Sequence, residues 1–336
     1  MARQTRCPGK EGIHMHSIDF HCDTLMRLYD LYSTGNHQET LWKNNGHIDL
    51  ERLVAAGNYA QFFACFLWLE GKPVQASHYL DALAMADRFH QELAEHPEAV
   101  AFAGNYADYL ANKQAGKLSA FLTVEEGGIL EGDLSRLDTL YQKGVRILTL
   151  TWNFENCLGY PNAGLTWQHQ GLKPFGLEAL ERMEELGIAV DVSHLSDGGF
   201  ADVLRHSNRP FLATHSNARS ICGHERNLTD EMLRQLAEKG GVTGLNLCGA
   251  FLQDNGESTV EAMVRQMRHI LNVGGAEVLC LGTDFDGVED LLEIQGCQDM
   301  GKLVEGMERS GFTTSEIEAV CYKNAERFLE NYWGHS

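Results

Sequence analysis

The chain has 336 residues, 43% hydrophobic and 22% charged, a profile that fits an ordinary soluble globular protein with enough apolar mass for a large core. Its formal net charge of −20 weighs against nucleic acid and anionic membrane surfaces as partners, because both select a positive footprint. The longest uninterrupted apolar run, Phe62 to Leu69, is far too short to cross a bilayer. Small molecules or peptides are the partners this composition suits.

In chain order, residues 1–16 open with a polar MARQTRCPGKEG that lacks an apolar signal region, and are expected to be a disordered leader or an expression-derived remnant. One domain is expected over 17–332. Eight strand-like runs follow at 17–21, 59–67, 118–124, 145–151, 188–193, 210–214, 241–246 and 278–283. They are rich in Val, Ile, Leu and Phe without clean polar alternation, as parallel strands covered on both faces should be. Amphipathic segments lie between and after them: Tyr79 to His96, Leu134 to Lys143, Leu177 to Leu186, Asp230 to Lys239, Val260 to Val273, and a closing helix from about Ser315 to Tyr332. Thr313-Thr314-Ser315-Glu316 fits a capping box, Thr229 and Ser258 are plausible N-caps, and Gly144, Gly187 and Gly240 stand where a glycine after a helix is favoured. Two stretches, about 32–58 and 156–173, are long enough to be functional loops. Eight β/α alternations, with no Gly-x-Gly-x-x-Gly after the first strand, predict an α/β protein built as a closed (β/α)8 TIM barrel rather than a Rossmann sheet.

In such a barrel the chemistry gathers at the C-terminal ends of the strands. The first polar residues there are His21 and Asp23, Glu125, Asn153, His194, His215, Asn246 and Asp284. His21 and Asp23 share a face of an extended backbone, with Cys22 turned back into the packing. Imidazole and carboxylate without thiolate suit Zn²⁺, Fe²⁺ or Mn²⁺ in a hydrolytic site, and five or more ligands imply two ions sharing a bridging carboxylate. Glu125 competes with Glu126 for that place, and Asp284 with Asp286, since alternation lets only one of each pair face the barrel mouth. Asp19 reads as a structural partner, and the other twelve histidines, among them His78, His90 and His96, as surface or packing residues. Arg226 lies in the loop that begins at His215, within reach of the site. The nine cysteines sit mostly singly in apolar runs, as at Cys65, Cys248 and Cys280, which suits reduced thiols in a cytoplasmic protein.

Taken as an ordered set, these residues resemble the renal or membrane dipeptidase family, zinc dipeptidases of the amidohydrolase-like, metal-dependent hydrolase type of barrel. His21-x-Asp23, Thr123-Val124-Glu125 before Gly127-Gly128, Gly171 to Gly176, Asp191-Val192-Ser193-His194, Thr214-His215-Ser216-Asn217, Arg226-Asn227 and Gly282 to Gly287 carry the resemblance from Ile18 to Leu329. It implies two Zn²⁺ per chain, one held by His21 and Asp23 and the other by His194 and His215, with Glu125 as the bridge. It also implies that Arg226 takes the carboxylate of a dipeptide substrate and that Asp284 holds the amino end or carries the proton, while a hydroxide bridging the two zinc ions attacks the carbonyl. Dipeptides of L-residues, with a D-residue accepted at the C-terminal place, and a homodimer are the corresponding expectations. One position departs from the mammalian members: after Thr149-Leu150-Thr151, where they carry a carbonyl-polarising histidine, this chain has Trp152 and then Asn153. Asn153 is the nearest replacement donor and His169 the second, with Trp152 as a pocket wall; this resembles the soluble bacterial branch. The other readings are an amidohydrolase acting on N-acyl amino acids, lactams or lactones, and a metal-free barrel with a binding or scaffold role.

Overall fold

Strands that are apolar on both faces have to be covered on both, and a ring of parallel strands inside a layer of helices does this. A computed structural model describes residues 16–69, 78–289 and 291–334, so the expected leader lies, apart from His16, outside the described residues. Nine strands form one parallel sheet: β1 Ile18–Asp19, β2 Ala60–Phe66, β3 Val100–Phe102, β4 Leu118–Glu125, β5 Val145–Thr149, β6 Ala189–Asp191, β7 Leu212–Ala213, β8 Val242–Leu245 and β9 Leu279–Leu281. Eight of them close the (β/α)8 barrel, in the order β2-β1-β9-β8-β7-β6-β5-β4 with β4 paired back to β2. These are the eight expected runs. The ninth, β3, was not foreseen: it pairs with Leu118 to Ala120 at the start of β4, on the edge that β5 takes over from Leu122. Three residues are too few to show a period.

The barrel encloses its own core. Phe20, Phe62, Phe121, Ile147, Leu212 and Val242 fill the inside with no exposed area, and the Phe62 and Phe121 rings stack at 4.3 Å. A helix over Asn324–Trp333 plugs the lower end, where Phe328 meets Phe20 edge-on, the Tyr332 hydroxyl donates to the Ile188 carbonyl and Trp333 Nε1 donates to the Gly187 carbonyl. A second, larger apolar layer lies between the strands and the outer helices.

Most expected helices form within two or three residues of their predicted bounds, as at His78–Ala94, Pro174–Leu186, Asp230–Glu238 and Val260–Gly274. The Thr313–Glu316 capping box is present, and Thr229 caps its helix by accepting from the Met232 N–H. Ser258 is not a cap. That role belongs to Thr259, and the Ser258 hydroxyl instead donates to the Leu247 carbonyl. The closing helix is interrupted by a π-helical turn over Ala319–Lys323. Helices over Thr24–Ser33, Leu50–Ala56, Tyr106–Gln114, Asp197–His206 and Gly301–Arg309 were not foreseen. Asp197–His206 shows why: it begins Asp-Gly-Gly, a poor intrinsic helix start, yet forms because Ser196 caps it and Phe200 and Val203 are buried. The expected 32–58 loop holds one of these helices, whereas 156–173 contains only a short 3₁₀ turn at Ala163–Leu165.

Candidate active site

The C-terminal strand ends bring His21, Asp23, Glu125, His194, His215 and Asp284 together. Cys22, between the first two, is buried in the outer core, as alternation demands. Glu125 sits at the centre. Its Oε2 is 3.3 Å from His21 Nε2, and its Oε1 is 3.0 Å from His194 Nε2 and 3.4 Å from His215 Nε2. His21 Nε2 also lies 3.4 Å from Asp23 Oδ2 and 3.8 Å from Asp284 Oδ1. Two overlapping sets, His21 with Glu125 and His215, and His21 with Asp23 and Asp284, each place their ligand atoms within 4.8 Å of one another.

The choice within each acidic pair follows from backbone conformation. Glu126 takes φ +94° and turns away from the cluster; buried to 1% exposure, it accepts from the Gly128 and Trp152 N–H groups and from Asn156 Nδ2. It is a cap, but not a solvated one. Asp286 likewise turns away, accepting from the Thr24 hydroxyl and the His47 N–H, which pins the loop before residue 50 to the end of β9. His194 and Asp284 are themselves left-handed, at φ +65° and +63°, a conformation that costs non-glycine residues about 1–3 kcal/mol and is found where function fixes it. Gly287 has to be glycine for close approach: a Cβ there would stand 2.1 Å from Asp23 Oδ2 and 2.4 Å from Asp284 Oδ1.

Hydrogen bonds fix which imidazole nitrogen is free. Asn153 Oδ1 accepts from His194 Nδ1 at 2.9 Å, and Thr214 Oγ1, whose own proton goes to Asp191 Oδ2, accepts from His215 Nδ1 at 2.7 Å. Both Nε2 lone pairs then face each other at 3.1 Å, with Glu125 Oε1 beside them. Acceptors crowded in this way repel unless a cation lies between them. Burial lowers His194 to about 4 and His215 well below its ordinary value, with Arg226 acting in the same direction on both and His21 on His215. Burial raises Glu125, but the surrounding imidazoles more than offset that and hold it ionised. Burial opposes a charge on His21, yet Glu125 and Asp23 push its pKa well up, so this corner draws in positive charge. His21 Nε2, Asp23 Oδ1 and Glu125 Oε1 are buried without a hydrogen-bond partner. Neutral imidazoles at His194 and His215, ionised carboxylates and unpartnered donor atoms together fit a divalent metal.

Around the cluster, Asp284 accepts from Asn246 Nδ2 at 2.9 Å, and burial, helped by Asp23 and Glu125 against the pull of His21, pushes its pKa up to about 7. Asn246, named among the strand-end residues, and Asp191 and Thr214, named in the motifs, were given no role from sequence; their bonds orient site residues. Asp19, read as structural, accepts from the His21 and Thr283 N–H groups and the Thr283 hydroxyl. Arg226 is 4% exposed, bonds only the neutral Ser216 Oγ and His215 carbonyl, and leaves Nε without a partner. Asp284, Glu125 and Asp191 act on the guanidinium from a distance, but no carboxylate among the described residues is in ion-pair contact with it, and a buried charge in that state favours an anion. Arg226 does not line the cavity; Phe251 does, its ring centroid 5.3 Å from the guanidinium. The cavity, of about 490 Å³, has both Trp152 and Asn153 in its wall. His169 is exposed and absent from the wall, whereas His78, read as a packing or surface residue, is part of it.

Comparisons with known proteins agree with this geometry. The model of the membrane dipeptidase family, peptidase family M19, matches residues 12–332. An uncharacterized dipeptidase of Schizosaccharomyces pombe is 28% identical over 84% of this chain and 71% of its own length. Dipeptidase 3 of Mus musculus is 29% identical over 92% of this chain, which spans 63% of the mouse protein. Among solved structures, a metallopeptidase named dipeptidase AC, of family M19, aligns with a TM-score of 0.87 and 26% identity over 96% of this chain and 99% of its own. A metallopeptidase from Rhodobacter sphaeroides, bound to a phosphinate mimic of the dipeptide L-Ala-D-Ala, aligns at 0.86 with 25% identity over 95% and 99%. No helix among the described residues is long and apolar enough to cross a membrane. With the family model matched over residues 12–332, almost its whole length, the chain belongs to the membrane dipeptidase family, peptidase family M19.

Proposed function

We propose that the protein hydrolyses dipeptides, with two zinc ions held at the barrel mouth, one by His21 and Asp23, the other by His194 and His215, and Glu125 between them. The observation that carries this reading is the split of Glu125, one oxygen beside His21 and the other beside His194 and His215. Bound zinc would supply a water-derived nucleophile at neutral pH and polarise the scissile carbonyl. Asp284, held by Asn246, would accept the nucleophile's proton and return it to the leaving amine. Arg226, beside the Phe251 ring that lines the cavity, would take the free carboxylate where that ring gives way, by the fork geometry that suits guanidinium. Asn153 orients His194, and Trp152 excludes water from the carbonyl's side of the cavity. The L-Ala-D-Ala mimic bound to the Rhodobacter protein supports a D-residue at the C-terminal place. No disulfide joins the eight described cysteines, which supports a cytoplasmic setting; a homodimer remains the expected assembly, to be measured by sedimentation.

Chelation followed by zinc add-back, assayed with Ala-Ala, Ala-D-Ala, N-acetyl-alanine and Ala-Ala amide, tests the reading. The expected outcome is loss and recovery of activity on the free dipeptides alone. Turnover that survives complete metal removal, or that favours the N-acyl compound, would overturn it.

A further inference from the structure

The cavity does not end at the metal-ligand cluster. Arg226 follows β7, and in the eight-stranded ring β7 stands directly across from β2, four strands away in either direction. A dipeptide whose carboxylate meets Arg226 and whose peptide bond lies over Glu125 therefore points its N-terminal residue toward the loop and helix that follow β2. There the wall changes character. Trp68 and Trp152, with ring centroids 4.7 Å apart, form an aromatic side, and Trp68 is half exposed at the mouth.

Beyond these rings the described residues offer more acceptors than donors. Seven carboxylates line the cavity among the described residues, and no lysine or arginine does. Asp23, Glu125 and Asp284 belong to the cluster and Asp286 is tied to Thr24 and His47, which leaves Asp30, Asp81 and Glu289. Asp81 takes the Tyr29 hydroxyl at 2.7 Å and lies 3.8 Å from His78 Nδ1. With Nδ1 facing that carboxylate, His78 presents Nε2 as an acceptor, and this atom is buried with no hydrogen-bond partner among the described residues, on a side chain only 9% exposed. An apolar substrate side chain would strip water from these acceptors and return nothing, and an anionic one would be repelled. A long cationic chain satisfies all of them: its stem lies along the indoles and its head gives donors to Asp30, Asp81 and His78. Guanidinium fits best, being planar, able to stack on tryptophan and rich in donors.

We propose that this lobe is a subsite for a basic side chain, so that the enzyme prefers dipeptides whose N-terminal residue is arginine or lysine. The assignment rests on the dipeptidase reading above for the direction of the substrate. The test compares Arg-Ala, Lys-Ala, norleucyl-Ala and Glu-Ala on the zinc-loaded enzyme, with Ala-Ala as reference. Norleucine matches the lysine stem without its charge. The expected kcat/KM is about tenfold or more higher for Arg-Ala than for norleucyl-Ala, the size of a charged hydrogen bond lost. That ratio should fall toward one in Asp81→Asn and decrease in Asp30→Asn, a change at an exposed position that leaves the fold alone. Equal kcat/KM for Arg-Ala and norleucyl-Ala, with Ala-Ala cleaved, would overturn the subsite and leave the dipeptidase reading standing. If no dipeptide is cleaved, that reading fails, and the subsite is then decided by thermal shift of the same protein with argininamide and norleucinamide. Stabilisation by argininamide alone sustains it, and equal shifts remove it.

Discussion

Asn153 and Asp284 show how a single hydrogen bond separates roles that composition leaves together. Because Asn153 Oδ1 is engaged with His194 Nδ1, Asn153→Ala should act first on the metal, weakening zinc affinity by roughly 10–100-fold, the usual cost of losing a ligand's orienting partner. Zinc titration of activity checks this: a kcat that recovers at saturating zinc marks a positioning role, whereas a kcat still down by about 10² would restore the oxyanion role. Asp284→Asn should behave in the opposite way, lowering kcat by roughly 10²–10⁴ while zinc content measured by mass spectrometry stays at the wild-type level. Arg226→Ala should raise KM for Ala-Ala with little change for its C-terminal amide, and unchanged KM would remove Arg226 from the carboxylate contact. Alternation alone narrowed Glu125 against Glu126 and Asp284 against Asp286 to one of each pair. The deciding facts, the left-handed turns at Glu126, His194, Asp284 and Asp286, are backbone states that the residue names do not announce.

At the level of elements, what was legible is what repeats. The buried parallel strands have a composition of their own, so all eight barrel strands were readable, and with them the strand ends that carry the cluster. Short or propensity-poor elements such as β3 and Asp197–His206 were not, because tertiary burial and a cap at Ser196 decide them. The orienting bonds Asn246–Asp284 and Thr214–Asp191 depend on register between neighbouring strands, which one sequence does not encode visibly. Arg219 ties the helix at Asp197–His206 to the loop after β7 by a two-pronged pair with Asp197, both contacts at 2.8 Å. Burial opposes the Asp197 charge, but Arg219 and Gln168 prevail and hold its pKa below the ordinary carboxylate range. A depressed pKa stabilises the fold above the unfolded value near pH 4 and loses that contribution as pH falls through the folded one. Arg219→Ala should therefore cost about 1–2 kcal/mol in urea unfolding at pH 7. The gap to wild type should close as the pH falls well below 4, and a gap independent of pH would place the effect in packing instead.

Across the whole molecule, an excess of negative charge surrounds a cluster that itself draws positive charge, so metal and fold are thermodynamically linked. Removing zinc should lower Tm, and a thousandfold excess over Kd should return about 4 kcal/mol of stability; an unchanged Tm on chelation would mean that the cluster holds no ion in the native state. The pairing of β1 with β9 carries a consequence for how the protein comes into being. His21 and Asp23 leave the ribosome early, and Asp284 more than two hundred and fifty residues later. Until β9 docks beside β1, the first ligands have no far wall, and such distant contacts form slowly. The seam between β1 and β9 is thus one whose closure completes the site. A chain that has not yet paired β9 with β1 lacks Asp284 beside His21, so the assembled cluster belongs to the finished fold.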